Sequence, residues 1–168
     1  EVSVTAPESV AAGETISAIV NVECQDKIFT SGSVKIQMST SSFADISATG
    51  DTDIECKVEQ GEESVSITYS FNIGDGLRGT ALLGNIKAVA VNSTDKNIGA
   101  SINIIEIKFN NNNGADESAS FKITNSVMEI VPKGSATAAP NGESNAGAAT
   151  DNNAATATAT ATAATDAN

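Results

Sequence analysis

Residues 64–71 read SVSITYSF, and this stretch carries the pattern that decides the fold class. Every second residue from Val65 to Phe71 is apolar, whereas the residues between them are Ser or Thr. Because side chains alternate between the two faces of a β-strand, the pattern predicts a strand with one face in a core and the other in water. A helix would instead need apolar residues three and four positions apart.

The same period of two recurs on both sides of this stretch. It is found in 15–24, 33–39 and 54–59. The other predicted strands are 2–6, 43–48, 82–91, 101–109 and 127–131. Gly, Asp and Asn residues typical of turns separate these segments at intervals of roughly ten residues. We therefore predict an all-β, two-sheet β-sandwich of jelly-roll or immunoglobulin-like type.

One predicted strand, 101–109, departs from clean alternation. Its apolar residues stand at even-numbered positions up to Ile104 and at odd-numbered positions from Ile105 onward, so the alternation slips between these two residues. Either a β-bulge or burial on both faces at this point produces such a slip.

The composition divides the chain into two parts. Residues 1–134 contain all nine basic residues and are predicted to form the sandwich. Residues 135–168 include 14 Ala and 7 Thr but no Val, Ile, Leu, Phe or Met. Because such a segment has little apolar surface to bury, we predict a disordered linker or tail.

The residue types also restrict the function. The formal net charge is −12, which disfavours binding to nucleic acid or to anionic lipid. The absence of His excludes imidazole-based catalysis and metal binding, and we predict that the protein is not an enzyme. No apolar run approaches the roughly 20 residues of a membrane helix.

Four other patterns contain residue types that occur in functional sites. Asp51, Asp53 and Glu55 alternate along one predicted strand face, but a solvated acidic edge explains them better than a metal or catalytic site. The run 95–106 has acidic and amide residues at spacings similar to a calcium-binding EF-hand loop, but without the Gly and the flanking helices. The two cysteines, Cys24 and Cys56, are compatible with either a disulfide or free buried thiols. Residues 92–94 form a glycosylation sequon.

With the strands placed in order, residues 1–132 resemble a cohesin, the receptor module of cellulosome scaffoldins. The similar stretches are VAAGETI at 10–16, GSVKIQMS at 32–39, FADISATGD at 43–51 and GTALLGNIKAVAV at 79–91. The resemblance implies a nine-stranded jelly roll that is secreted or attached to the cell surface. It also implies binding to the dockerin module of an enzyme or scaffold protein, and so assembly of an extracellular polysaccharide-degrading complex. Calcium is expected on the dockerin, and no cofactor on this chain, which we expect to be monomeric when free.

In cohesins the dockerin-binding face comprises the third, fifth, sixth and eighth strands. Transferred to this chain, the implied contact residues are Ser33, Lys35, Gln37, Glu55, Lys57, Glu59, Ser66, Thr68 and Ser70, with Ile105 or Ile107 on the eighth strand. Leu77 and Leu82, placed in the loop before the seventh strand, are implied apolar contacts at the rim. Alternating Ser, Thr and Lys are also what ordinary solvated strand faces contain.

Two other functions are compatible with a β-sandwich. A carbohydrate-binding module is disfavoured because Trp is absent and the single Tyr69 lies in the buried phase of its strand. A structural spacer of a surface adhesin, in which a Lys–Asn isopeptide bond can join strands, is the other alternative.

Overall fold

The computed structural model describes residues 1–91 and 95–134. The predicted tail, 135–168, and the sequon at 92–94 lie outside the described residues. The described part contains eleven strands and one short 3-10 helix, Ser118–Ser120. The strands are β1 (Val2–Thr5), β2 (Ser9–Ala11), β3 (Thr15–Glu23), β4 (Phe29–Ser39), β5 (Phe43–Gly50), β6 (Ile54–Gln60), β7 (Ser64–Leu77), β8 (Thr80–Ala90), β9 (Ile98–Asn111), β10 (Ile123–Thr124) and β11 (Ser126–Val131).

The strands form two sheets packed face to face. The five-stranded sheet has the order β10-β1-β3-β8-β5, and the six-stranded sheet has the order β2-β11-β9-β4-β7-β6. Neighbouring strands are antiparallel except at two edges, where β10 pairs in parallel with β1 and β2 with β11. The predicted all-β two-sheet sandwich is confirmed.

The nine predicted strands are all present, and the two further strands are short. The sequence pattern does not predict β2 and β10, which have three and two residues. Segments this short show no alternation to detect, and the sheet edge beside them, rather than their own sequence, makes them strands. The prediction that Asp51, Asp53 and Glu55 share one strand face is wrong. Asp51 and Asp53 lie in the turn before β6, and only Glu55 lies on the strand.

The core lies between the sheets and consists of the apolar side chains at every second position of the strands. In β7, Val65, Ile67, Tyr69 and Phe71 are buried, while Ser66, Thr68 and Ser70 are only half-buried. β3 shows the same alternation, and its odd apolar residue, Ile19, is exposed on the outer face. Burial of aliphatic side chains at about 25 cal/mol per Å² is the main favourable contribution to such a fold.

One side chain connects the two sheets across this core. Tyr69 of β7 is fully buried, and its hydroxyl donates a hydrogen bond of 3.0 Å to the backbone carbonyl of Asn85 on β8. Burial raises the pKa of this hydroxyl well above its ordinary value. The adjacent residue on β8, Gly84, leaves room for the ring, since an added Cβ would lie 2.4 Å from the ring edge.

An aromatic cluster fills one end of the sandwich. Phe109 lies 4.5 Å from Phe121 between ring centroids, 5.5 Å from Phe29 and 5.6 Å from Phe71. Phe121 follows the 3-10 helix, so the cluster fixes the segment that crosses from the six-stranded to the five-stranded sheet. Aromatic pairs at these separations contribute about 0.5–1.5 kcal/mol each beyond their buried area.

Candidate binding face

The four strands that the cohesin resemblance selects are neighbours in space. They are β4, β6, β7 and β9 in the structure, and they lie side by side in the order β9-β4-β7-β6. The strands come from widely separated parts of the sequence, from residue 29 to residue 111. Their outward side chains therefore form one continuous face on the six-stranded sheet.

The strand register arranges this face in three rows. The first row contains Asn103, Gln37, Ser66 and Glu59; the second contains Glu106, Lys35, Thr68 and Lys57; and the third contains Lys108, Ser33, Ser70 and Glu55. Neighbours within a row are paired across adjacent strands, where side chains are roughly 5 Å apart. All nine residues expected on β4, β6 and β7 lie on this face.

The middle of the face is mostly neutral and polar. We call the outward residues of the two central strands the polar centre: Ser33, Lys35, Gln37, Ser66, Thr68 and Ser70. All six are half-buried, and five carry no charge. Gln37 donates a 3.0 Å hydrogen bond from Nε2 to the Ser64 hydroxyl at one end. Short hydroxyl side chains leave their donors and acceptors open to a partner.

The flanking strands carry charged residues, which we call the charged borders: Glu55, Lys57 and Glu59 on β6, and Glu106 and Lys108 on β9. Each border has an ion pair along its own strand, of 2.8 Å between Lys57 Nζ and Glu59 Oε1 and of 2.6 Å between Lys108 Nζ and Glu106 Oε1. The hydrogen bond in each pair lowers the pKa of the carboxyl and raises the pKa of the ammonium. Because these groups are exposed, the pairs contribute little to stability.

A β-bulge on β9 decides which isoleucine faces outward. Lys35 pairs with Glu106 and Ile36 pairs with Ile104, so Ile105 is the extra residue. Ile105 is 48% exposed, whereas Ile107 lies opposite the buried Val34 and packs against the core. Of the two alternatives predicted from the sequence for the phase slip, the bulge is the observed one. Ile107 was therefore placed wrongly on the outer face.

Neither of the two leucines expected in the loop before β8 lies in that loop. Leu77 is the last residue of β7, where it pairs with Phe29 and packs half-buried against the core. Leu82 lies within β8 in the five-stranded sheet and pairs with Asn21. The loop placement was wrong because β8 begins at Thr80, two residues earlier than the apolar run suggested. Leu82 is therefore not part of the face.

Three members of the face were not predicted from the sequence. Asn103, Glu106 and Lys108 complete the three rows on the β9 side. At Ile105 the bulge exchanges which alternate residues of β9 point outward. Counting every second residue from one end of the strand therefore assigns the residues beyond the bulge to the wrong face. The only sign of this in the sequence is that a polar residue, Asn103 or Glu106, stands on each side of the adjacent Ile104 and Ile105.

Metal-ligating and thiol side chains within the described part of the chain do not gather into a site. No group of three or more His, Cys, Asp or Glu side chains suited to a metal occurs in residues 1–91 and 95–134. Cys24 and Cys56 are free thiols that lie in or next to strands of opposite sheets. Burial raises the pKa of each thiol, so a smaller fraction is present as the reactive thiolate at neutral pH. Among the described residues, no helix has the length and apolarity to cross a bilayer.

Comparisons with known proteins agree with this architecture. No family model matches the sequence, and no curated protein matches it either. Among solved structures, the third cohesin ScaC from Acetivibrio cellulolyticus, solved in complex with the ScaB dockerin, is similar at a TM-score of 0.60 and 14% identity, over 78% of this chain and 99% of that one.

Two further structures extend the comparison. The cohesin chain of a type I cohesin–dockerin complex from Clostridium thermocellum has a TM-score of 0.59 at 16% identity, over 77% of this chain and 99% of that one. A cohesin module of a family 33 glycoside hydrolase from Clostridium perfringens has a TM-score of 0.57 at 14% identity, over 78% of this chain and 96% of that one. Because cohesin modules are covered almost completely, the chain has the cohesin fold.

Proposed function

We propose that this chain is a non-catalytic receptor module that binds a dockerin through the outward face of β9, β4, β7 and β6. The observation that carries the proposal is the arrangement of this face, with a neutral polar centre between two charged borders. The solved neighbours include cohesins in complex with dockerins, which supports the same class of partner for this chain. The finer proposal is that the module assembles an extracellular polysaccharide-degrading complex.

The face offers one apolar anchor and a surrounding set of hydrogen-bonding groups. Ile105, the bulge residue of β9, is an exposed aliphatic side chain on this face, and it directly precedes Glu106, which pairs with Lys35. Interfaces of specific complexes commonly have a few apolar contacts at the centre and polar groups around them. We expect a complex to bury about 1,200–2,000 Å² in total.

The aromatic residues disfavour the alternative of sugar binding. All five Phe and the single Tyr fall within the described residues. Tyr69 and four of the Phe are buried, and Phe121 is packed in the aromatic cluster. A sugar-stacking platform needs an exposed aromatic ring, and this chain has none to offer.

Titration calorimetry of the full chain against the dockerins encoded in the same genome tests the proposal. We expect one-to-one binding in calcium that is lost in EDTA, because the proposal places calcium on the dockerin, where the fold depends on it. Ile105→Arg and Gln37→Arg should weaken binding at least tenfold. Leu82→Arg is the matched control on the opposite sheet and should bind as the wild type does. Absence of heat with every folded dockerin would refute the proposal.

A further inference from the structure

Lys35 is the one charged residue of the polar centre. It lies in the middle of its row, paired with Thr68 on one side and with Glu106 on the other. Its side chain is half-buried between the two flanking strands. The rows above and below it carry Gln37 and Ser33 at the equivalent positions of β4.

The carboxylates nearest to Lys35 are already paired with other lysines. Glu59 is held by Lys57 at 2.8 Å, and Glu106 is held by Lys108 at 2.6 Å. Lys35 acts on both carboxylates only through its charge, and this attraction further lowers the pKa of each. Within the described residues, the Lys35 ammonium makes no ion pair within 4.0 Å and no hydrogen bond.

The spacing of the strands indicates what can cover this ammonium. Three inter-strand steps of about 4.8 Å separate β9 from β6, so the charged borders are roughly 14 Å apart. A helix with its side chains is about 10–12 Å across and fits between them. A helix in this position removes water from Lys35, and an ammonium that loses its water without gaining an anionic partner weakens binding strongly.

We propose that Lys35 is the specificity-determining residue of the face, and that it selects partners whose docking helix presents an Asp or Glu side chain to the polar centre. The inference rests on the proposed function and adds the chemistry of the partner to it. Ser33, Gln37, Ser66, Thr68 and Ser70 contribute hydrogen bonds that many polar surfaces satisfy. The Lys35 ammonium, in contrast, rejects a helix that offers a basic or apolar residue at that point.

A selection experiment tests this inference. A yeast-display library of dockerin modules, randomised on the exposed helix surfaces and loaded with calcium, is sorted against the full-length wild type, Lys35→Glu and Lys87→Glu. Lys87 lies exposed on β8 of the opposite sheet, so its reversal changes the net charge equally without touching the face. We expect Asp or Glu to be enriched at one helix position against the wild type and Lys87→Glu. Against Lys35→Glu, we expect Lys or Arg at that position.

Affinities of the selected modules complete the test. Lys35→Glu should lose about thirtyfold or more in affinity for modules selected on the wild type, and Lys35→Met, which keeps the apolar stem, about tenfold. Lys87→Glu should stay within about threefold. Binders without acidic enrichment, or equal binding by both charge reversals, would overturn the role of Lys35 and leave the dockerin proposal standing. If no library member binds the wild type, the proposed function fails, and this inference fails with it.

Discussion

Substitution of Gly84 tests how closely β8 packs against β5 and against Tyr69 of the opposite sheet. An added Cβ at this position would lie 2.2 Å from the Thr49 carbonyl oxygen and 2.4 Å from the Tyr69 ring. Ordinary van der Waals contact for a Cβ begins at about 3.4 Å, so the overlap with Thr49 exceeds 1 Å. Neither neighbour can yield easily, because one is backbone of the adjacent strand β5 and the other is a fully buried ring.

Gly84→Ala should therefore destabilise the protein by about 3 kcal/mol, at the upper end of the usual cost of overpacking. The matched control is Gly99→Ala on β9, since Gly99 also lies in a strand and an added Cβ meets nothing within 4 Å. We expect this control to gain about 0.5 kcal/mol, because Ala restricts the unfolded chain more than Gly does.

Urea unfolding of the full chain, followed by far-UV circular dichroism, measures both changes. The difference between the variants should come from the transition midpoint and not from the slope, which reports the surface exposed on unfolding. In a thermal scan, a loss of about 3 kcal/mol corresponds to a fall in Tm on the order of 10 °C. A loss below about 1 kcal/mol in Gly84→Ala would refute the reasoning, since Tyr69 or β5 would then move at little cost.

Three further predictions follow from buried or paired groups. Tyr69→Phe should cost about 1 kcal/mol by removing the hydrogen bond that connects the sheets, and an unchanged urea midpoint would contradict this. The buried Cys24 should react with iodoacetamide slowly in the folded chain and completely in urea, and its rapid labelling before unfolding, seen by intact mass and peptide mapping, would count against its burial. The hydrogen bond and charge of the Lys27 ammonium lower the pKa of the Glu117 carboxyl below 4.5. The ion pair therefore stabilises the folded chain fully above pH 4.5, and this stabilisation is lost as the pH falls through the lowered pKa. The stability difference between the wild type and Glu117→Gln should accordingly close in acid, and a difference that persists at pH 2 would exclude the ion pair as its cause.

The placement of the face shows how far periodicity alone reaches. The alternation within β4, β6 and β7 placed all nine of their outward residues on the correct side. This succeeds because the alternation of side chains along a strand is a local property of the backbone, which does not depend on the strands that pair with it. The same reasoning failed on β9, where one inserted residue at Ile105 reverses the phase and the paired strand β4 decides where the insertion falls.

The sequence by itself determined the all-β class, the strands with clear alternation, and the absence of Trp and imidazole. These properties depend on residue type and on spacing along the chain. The tertiary structure alone decided which strands are neighbours, which row each side chain occupies, and that Leu82 belongs to the opposite sheet. It also decided that Lys35 stands between two carboxylates already paired elsewhere. Pairing between strands that are distant in sequence is set by the packing of the whole core, and no local pattern encodes it.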